Sequence, residues 1–308
     1  PTFTPDLGTN PAVVSSGTTT VLLDAAAVKG NICAASGDPN LYIASSNGAC
    51  GTSVGDVAVT GITIDAGATL VLVDQSYCSG PGCYSTLQLP NDLVINGTLT
   101  TDATSGLYIE ANVIDVESGG MITTSATTTD TNAGEIYLGC GSYGCGGNSS
   151  TNQIINRGTI EAKGFGNGNG GYIYFEPNDL VANYGTIDTS GGDSTVVGSS
   201  GGAGGAGGEL DVYVDYGDFY SSGTVRMNGG KGTTSGGDTE AWAGNLWGYS
   251  AYIETAYMNN NTGRNGDIII SGTWEANGGE GADGNGGYGG YIYLQTDALG
   301  KVTINANM

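Results

Sequence analysis

The sequence predicts an all-β protein: a single-stranded, right-handed parallel β-helix of about eight coils, with glycine-rich loops along one edge and an N-terminal cap or arm. Three observations carry that expectation. Two short motifs alternate along the chain, the runs between turn residues are short with period-two alternation, and no pattern of helical period separates them.

The first motif is a glycine followed by alternating apolar residues. It reads Gly134-Glu-Ile-Tyr-Leu138, Gly171-Tyr-Ile-Tyr-Phe175, Gly208-Glu-Leu-Asp-Val212, Gly244-Asn-Leu-Trp247 and Gly290-Tyr-Ile-Tyr-Leu294. Its expected inward residues, Ile136, Ile173, Leu210, Leu246 and Ile292, recur at spacings of 37, 37, 36 and 46. The second motif is Gly-Thr-apolar: Gly97-Thr-Leu99, Gly158-Thr-Ile160, Gly185-Thr-Ile187, Gly223-Thr-Val225 and Gly272-Thr-Trp274. From residue 134 to residue 275 the two alternate strictly.

One unit, residues 171–192, contains three strand-like runs: Tyr172–Phe175, Asp179–Ala182 and Thr186–Thr189. Glu-Pro-Asn, Asn-Tyr-Gly and Ser-Gly-Gly bound them as turns. Strands this short with no helix between them exclude an α/β unit, and regular hairpin turns are missing. Three strands per coil, each stacked on its counterpart in the next, satisfy both facts. Right-handed winding is the crossover rule's expectation. Residues 61–74, 92–100 and 106–124 alternate in the same way. The expected organisation is an arm or cap over residues 1–55 and a β-helix over 56–308. Within the cap, the Ala-rich stretch near residues 24–31 is expected to form a helical turn or two.

The phrases Asn156–Gly164 and Asn183–Gly192, alternating with the Gly-Gly-Tyr-Ile-Tyr runs ending at Phe175 and Leu294, resemble repeats of filamentous-haemagglutinin-type adhesins and related β-helical surface proteins. The resemblance covers about 60% of the chain, at the level of repeat chemistry. It implies an exported, extended, adhesive or structural β-helix.

Composition removes several function classes. The 30 acidic residues against 7 basic ones give a net charge of −23. Such a polyanion repels phosphate backbones, so nucleic acid is excluded as a partner. There is no histidine, which removes imidazole triads and imidazole metal sites. Glycine supplies 58 of 308 residues. No apolar run reaches the length of about 18 residues that a membrane-spanning helix needs.

The six cysteines pair by proximity as Cys33 with Cys50, Cys78 with Cys83, and Cys140 with Cys145. Disulfides are the expected reading, with a metal site as the rival, because structural zinc prefers tighter spacing. Local disulfides point to an oxidising compartment. With the chain beginning at Pro1, a removed secretory signal and an extracellular or cell-surface location are expected. Sequons at Asn96, Asn148 and Asn260 are weak glycosylation candidates, since polar chains produce them by chance.

Glycine-rich stretches at 163–171, 190–208, 228–244 and 276–290 all follow the Gly-Thr-apolar strand. No Gly-Lys-Ser/Thr follows them, so they are not phosphate loops. Calcium is the one cofactor they leave open, and packing against each other is the default.

Residues after each inward position face outward: Tyr137, Tyr174, Asp211, Trp247 and Tyr293, with Tyr172 and Tyr291 widening the face. An aromatic face has three readings: stacking on a solvated sheet, burial against a neighbouring subunit, or a polysaccharide platform. An enzyme acting on a neutral glycan would draw on Asp179, Asp188, Asp211 or Glu275. No spacing singles out a pair. An acidic glycan would need cations, and the only arginines are Arg157, Arg226 and Arg264. The expectation is therefore non-enzymatic.

Near residue 308, Lys301, Val302, Thr303 and Ile304 read as a strand with an uncovered edge. Head-to-tail stacking of copies into a filament is the leading functional expectation, with the extended N-terminal stretch as a donated strand.

Overall fold

The structure is a computed structural model. It describes residues 3–4, 12–14, 17–23, 32–34, 41–43, 57–59, 61–74, 84–89, 91–101, 106–128, 131–139, 151–194, 202–233, 251–255, 266–281, 287–296 and 299–306. Among these residues every regular element is a strand, and none is a helix long and apolar enough to cross a membrane.

The first strands are β1 (Phe3–Thr4), β2 (Ala12–Val14), β3 (Gly17–Leu23), β4 (Ile32–Ala34), β5 (Leu41–Ile43) and β6 (Val57–Val59). Then strands come in threes: β7 (Ile62–Ile64), β8 (Ala68–Asp74), β9 (Tyr84–Gln88); β10 (Leu93–Ile95), β11 (Thr98–Thr101), β12 (Gly106–Glu110). The next two turns are β13 (Val113–Val116), β14 (Met121–Thr123), β15 (Ile136–Leu138); β16 (Gln153–Asn156), β17 (Thr159–Glu161), β18 (Tyr172–Phe175). They continue as β19 (Leu180–Asn183), β20 (Thr186–Asp188), β21 (Glu209–Val214); β22 (Asp218–Ser221), β23 (Thr224–Arg226), β24 (Ala251–Thr255). The last described are β25 (Ile268–Ile270), β26 (Thr273–Glu275), β27 (Ile292–Thr296) and β28 (Val302–Ile304).

From β10 onward each strand pairs in parallel with the strand three places before it. The result is solenoid-like: three parallel sheets, visited in fixed rotation. The first runs β7 to β28, the second β8 to β26, the third β9 to β27. In the unit expected to hold three strands, the observed boundaries fall within a residue of expectation. Strand β19 starts at Leu180, one residue later than the alternation suggested.

The segment expected as a cap joins these sheets. Strands β2 and β3 pair in parallel with β7 and β8. Beyond them the pairing turns antiparallel, β1 on β2 and β4 on both β5 and β6. The Ala-rich 24–31 stretch lies outside the described residues.

Inward side chains stack in columns. In the second sheet Leu70, Leu99, Ile122, Ile160, Ile187, Val225 and Trp274 sit in register and are fully buried. Each aliphatic member contributes about 1.5–3 kcal/mol by leaving water. Trp274 packs edge-on against Phe219, ring centroids 6.1 Å apart. A buried polar column runs beside the apolar ones. Asn156 Nδ2 donates to Asn183 Oδ1 at 2.8 Å, and Asn183 Nδ2 donates to Ser221 Oγ at 3.3 Å. The asparagine of the Asn-x-Gly-Thr phrase is therefore an interior residue.

The glycine of that phrase marks the corner between first and second sheets. At Gly158, Gly185, Gly223 and Gly272 a Cβ would run into the carbonyl oxygen of the corner glycine one turn below. Those same carbonyls accept the backbone N–H of Thr159, Thr186, Thr224 and Thr273 at 2.8–3.0 Å. The hydrogen bond brings the turns too close for any side chain.

The described parts of the glycine-rich stretches pack rather than project. Gly164, Gly191 and Gly229 donate backbone N–H groups to Ser190, Asn228 and Asn277 of the following turn. Gly192, Gly205 and Gly230 bond to Gly168, Gly192 and Gly205, tying neighbouring stretches together.

Gly185→Ala is expected to lower unfolding free energy by about 3 kcal/mol or more through overpacking. Gly67→Ala, where φ is +79° and nothing lies within 4 Å, is expected to cost only the left-handed strain of about 1–2 kcal/mol. Denaturant midpoints for the two variants check the contrast. Equal losses would refute the corner argument.

Candidate functional site

The outward face of the third sheet carries a continuous set of aromatic and ionisable side chains. Successive strands present two or three described outward positions each. These are Glu135, Tyr137 and Gly139 in the turn of β15, and Tyr172, Tyr174 and Glu176 in that of β18. Next come Glu209, Asp211 and Tyr213 on β21, then Tyr252 and Glu254 on β24, and Tyr291, Tyr293 and Gln295 around β27. Parallel pairing puts Tyr108, Tyr137, Tyr174, Asp211, Tyr252 and Tyr293 in one column.

Neighbouring rings in the column touch. Centroid separations are 6.0 Å for Tyr108–Tyr137, 5.5 Å for Tyr137–Tyr174 and 5.0 Å for Tyr252–Tyr293. Asp211 interrupts the column, and Tyr213 from the adjacent position bridges the gap. Its ring lies 5.5 Å from Tyr174 and 5.3 Å from Tyr252. Tyr172 leans on Tyr137 and Tyr174 at 5.6 and 6.0 Å. Such contacts are worth about 0.5–1.5 kcal/mol each beyond area burial.

Hydroxyl groups find acceptors on the same face. Tyr137 donates to Glu135 at 3.2 Å, Tyr172 to Asp211 at 2.6 Å, Tyr174 to Glu176 at 2.7 Å and Tyr252 to Glu254 at 2.8 Å. Tyr293 donates to the Gln295 amide oxygen at 2.9 Å, and that amide donates to Glu254 at 3.0 Å. Burial, together with the adjacent carboxylates, holds Tyr172, Tyr174 and Tyr252 protonated well above the usual phenol range. Burial also raises Glu176 and Asp211, each offset in part by the tyrosine hydroxyl it accepts. Glu209 is pushed up to about 7, by burial first and then by the Asp211 charge beside it.

The expected aromatic residues divide accordingly. Tyr137, Tyr172 and Tyr174 are half-buried within the stack, whereas Tyr291 and Tyr293 are 68% and 38% exposed. Trp247 and Leu246 lie outside the described residues. The strand in register between Leu210 and Ile292 is β24, whose Ala251 pairs with both. Sequence reasoning missed Tyr108, Tyr213 and Tyr252. Tyr108 and Tyr252 sit in readable alternations, Gly106–Glu110 and Ala251–Thr255, the latter without the preceding glycine. Tyr213's role depends on a diagonal contact and has no signal in spacing.

Carboxylates considered for catalysis are distributed over the molecule. Asp188 faces Lys163 at 3.7 Å and Glu275 faces Arg226 at 3.5 Å on the second sheet. Asp211 belongs to the tyrosine face, and Asp179 lies at the turn into β19. Arg157 is held by Asp115 and Glu117. Among the described residues no cluster of three or more acidic or cysteine side chains is placed to hold a metal ion. Cys33 has only its backbone described, in β4, and Cys50, Cys78, Cys83, Cys140 and Cys145 lie outside the described residues, as do Asn148, Asn260 and Arg264. Asn96 is half-buried at the turn between β10 and β11, its N–H bonded to the Ile64 carbonyl at 2.7 Å. Lys301, Val302, Thr303 and Ile304 are exposed on or beside β28, with Lys301 N–H bonded to Asp267 at 2.9 Å.

No protein-family model, no curated protein and no solved structure matches the chain.

The raised Glu209 carboxyl has a consequence for stability. Between the ordinary value of 4.5 and about 7, the folded chain binds a proton that the unfolded chain has released. Stability from this group is complete below that window and is lost as pH rises through it. The thermal midpoint is expected to fall over that range in the parent protein. In Glu209→Gln the slope flattens and neutral-pH stability rises; identical slopes in both would contradict the assignment.

Proposed function

We propose that the chain is a right-handed parallel β-helix of about eight coils, serving as a non-enzymatic structural subunit of an exported filament or surface assembly in which copies stack head to tail. The observation that carries this reading is the open third sheet. Among the described residues its end strands, β9 and β27, have no partner on their outer sides. Were the next copy's β9 to continue in phase, its Tyr84, Thr86 and Gln88 positions would fall on Tyr291, Tyr293 and Gln295. Two of those three positions match in residue type, tyrosine on tyrosine and glutamine on glutamine.

The first sheet supports the same contact. Val302 and Ile304 are 44% and 46% exposed, although their register partners Ile268 and Ile270 are fully buried. An unpaired parallel edge is a template for another strand, and pairing unlike ends generates an open fibre. Strand β1 pairs with β2 of its own chain, so donation to a neighbour would first require it to leave. A charge of −23 per copy opposes stacking at long range, and salt screens that repulsion.

Electron microscopy of purified protein, at low and at physiological ionic strength, tests the reading. Filaments with an axial repeat on the order of 40 Å, about eight rungs at about 4.8 Å, are expected at the higher salt. Ile304→Lys places a charge on the edge strand, and is expected to abolish filaments while leaving the thermal midpoint of the monomer unchanged. Monodisperse short rods at every concentration would sink the proposal, including the case where further residues of the same polypeptide cover the edge.

A second reading is favoured by one observation. Tyr288, Tyr291 and Tyr293 are 60%, 68% and 38% exposed, unlike the stacked tyrosines below them, and offer a platform for a neutral polysaccharide. Retention on an insoluble glycan that Tyr291→Ala abolishes, with no filaments formed, would favour it over assembly.

A further inference from the structure

We propose that the stacked tyrosines Tyr108, Tyr137, Tyr174, Tyr213, Tyr252 and Tyr293 carry one-electron oxidising equivalents along the third sheet and deliver them to the exposed ring of Tyr293. The inference is independent of whether copies stack.

Three features of the face support it. The first is continuity: five successive ring contacts, none longer than 6.0 Å between centroids, join the six residues. Electron tunnelling decays exponentially with distance, so rings in contact exchange an electron far faster than rings a strand apart. Where Asp211 replaces tyrosine in the central column, Tyr213 restores the path from the side.

The second is a proton acceptor at the phenols. Oxidising a phenol to a neutral tyrosyl radical requires it to lose a proton as well as an electron. Tyr137, Tyr174 and Tyr252 already donate to Glu135, Glu176 and Glu254. Burial keeps Tyr174 and Tyr252 protonated at rest, so the proton moves only when the electron does. The third is direction. Tyr108 is 9% exposed at one end and Tyr293 is 38% exposed at the other.

The steps balance. An outer-sphere one-electron oxidant takes an electron from a column tyrosine, whose O–H bond breaks as its proton passes to the hydrogen-bonded carboxylate. That radical then takes an electron from the next tyrosine and regains its proton from its own carboxylic acid. The next phenol in turn gives up its proton: Tyr174 and Tyr252 to Glu176 and Glu254, and half-buried Tyr213 to water, from which it later regains one. At Tyr293 the proton leaves to water. A soluble donor of one electron and one proton, such as ascorbate, restores the phenol.

The test uses the folded full chain with photogenerated tris-bipyridyl ruthenium(III) as oxidant, ascorbate as reductant, and the tyrosyl absorption band as readout. In the parent protein the radical is expected to decay in one phase whose rate scales with ascorbate. In Tyr213→Phe the ring and its packing stay, but the hop is removed. Radicals stranded on Tyr108, Tyr137 and Tyr174 are then expected as a second phase, severalfold slower and independent of ascorbate. Tyr252→Phe, which breaks the path one ring later, is expected to give the same second phase and serves if the first variant misfolds. Tyr184→Phe, in the separate Tyr184–Tyr220 pair, is expected to leave the decay unchanged. Decay of the same form in the parent, Tyr213→Phe and Tyr252→Phe would overturn the proposal and leave the column a packing element.

Discussion

A carbonyl oxygen from the turn beneath occupies the space where a side chain would begin at Gly158, Gly185, Gly223 and Gly272. The threonine that follows each of them binds the carbonyl of the corner glycine below it. Backbone separation between turns is thereby fixed at a corner, and the straight segments on either side inherit it. Pairing is in register from β7 to β28 because a slip of one residue would turn Ile160 or Ile187 outward and their threonine neighbours inward. The glycine-rich stretches extend the same solution beyond the sheets. Without side chains they approach closely enough for Gly192 to bond Gly168 and for Gly230 to bond Gly205.

Fixed spacing places like upon like, which suits some groups and penalises others. Aliphatic side chains stack without penalty. Amides stack well because each carries a donor and an acceptor, which is why Asn156 and Asn183 can occupy the interior. Carboxylates stack at a cost, since like charges directly opposite on neighbouring strands destabilise a sheet; where Glu161 and Asp188 do stand opposite, Lys163 lies 3.7 Å from Asp188. On the following turns of the second sheet a cation stands between acids. Arg226 stands in register between Asp188 and Glu275, and bonds the latter.

How much of this was legible from the residues depended on whether a feature repeats along one column. The three-strand unit, the inward Ile and Val positions and the tyrosine positions 137, 174 and 293 all recur at fixed offsets from a glycine. The strand β24 does not: its glycine pair is missing, and Gly244-Asn-Leu-Trp247 offered a closer match to the motif. Tyr213 was invisible for a different reason. Its contact is diagonal, and a diagonal partner follows from ring size and sheet twist, not from spacing. Packing of the glycine-rich stretches was the default expectation, but the particular hydrogen bonds between neighbouring turns, such as Gly192 to Gly168 and Gly230 to Gly205, have no signal in composition.

The third sheet solves the charge problem with neutral donors in place of cations. Down the first outward column Glu135, Tyr172 and Glu209 succeed one another; down the second, Tyr174, Asp211 and Tyr252; down the third, Glu176, Tyr213 and Glu254. A tyrosine separates every pair of acids along each column, and its hydroxyl can satisfy a neighbouring carboxylate. The arrangement explains why Tyr213 stands aside from the main column: Asp211 takes the central position, so the flanking one must be neutral. It bears on the raised Glu209 carboxyl as well. Burial raises that group first, and Asp211, two residues away on the same strand and face with no tyrosine between them, raises it further, so that Glu209 holds its proton to about 7. The alternation that keeps charges apart also sets a carboxylate beside Tyr137, Tyr174 and Tyr252. Avoiding stacked charge and supplying each of those phenols with a proton acceptor are thus the same geometric fact.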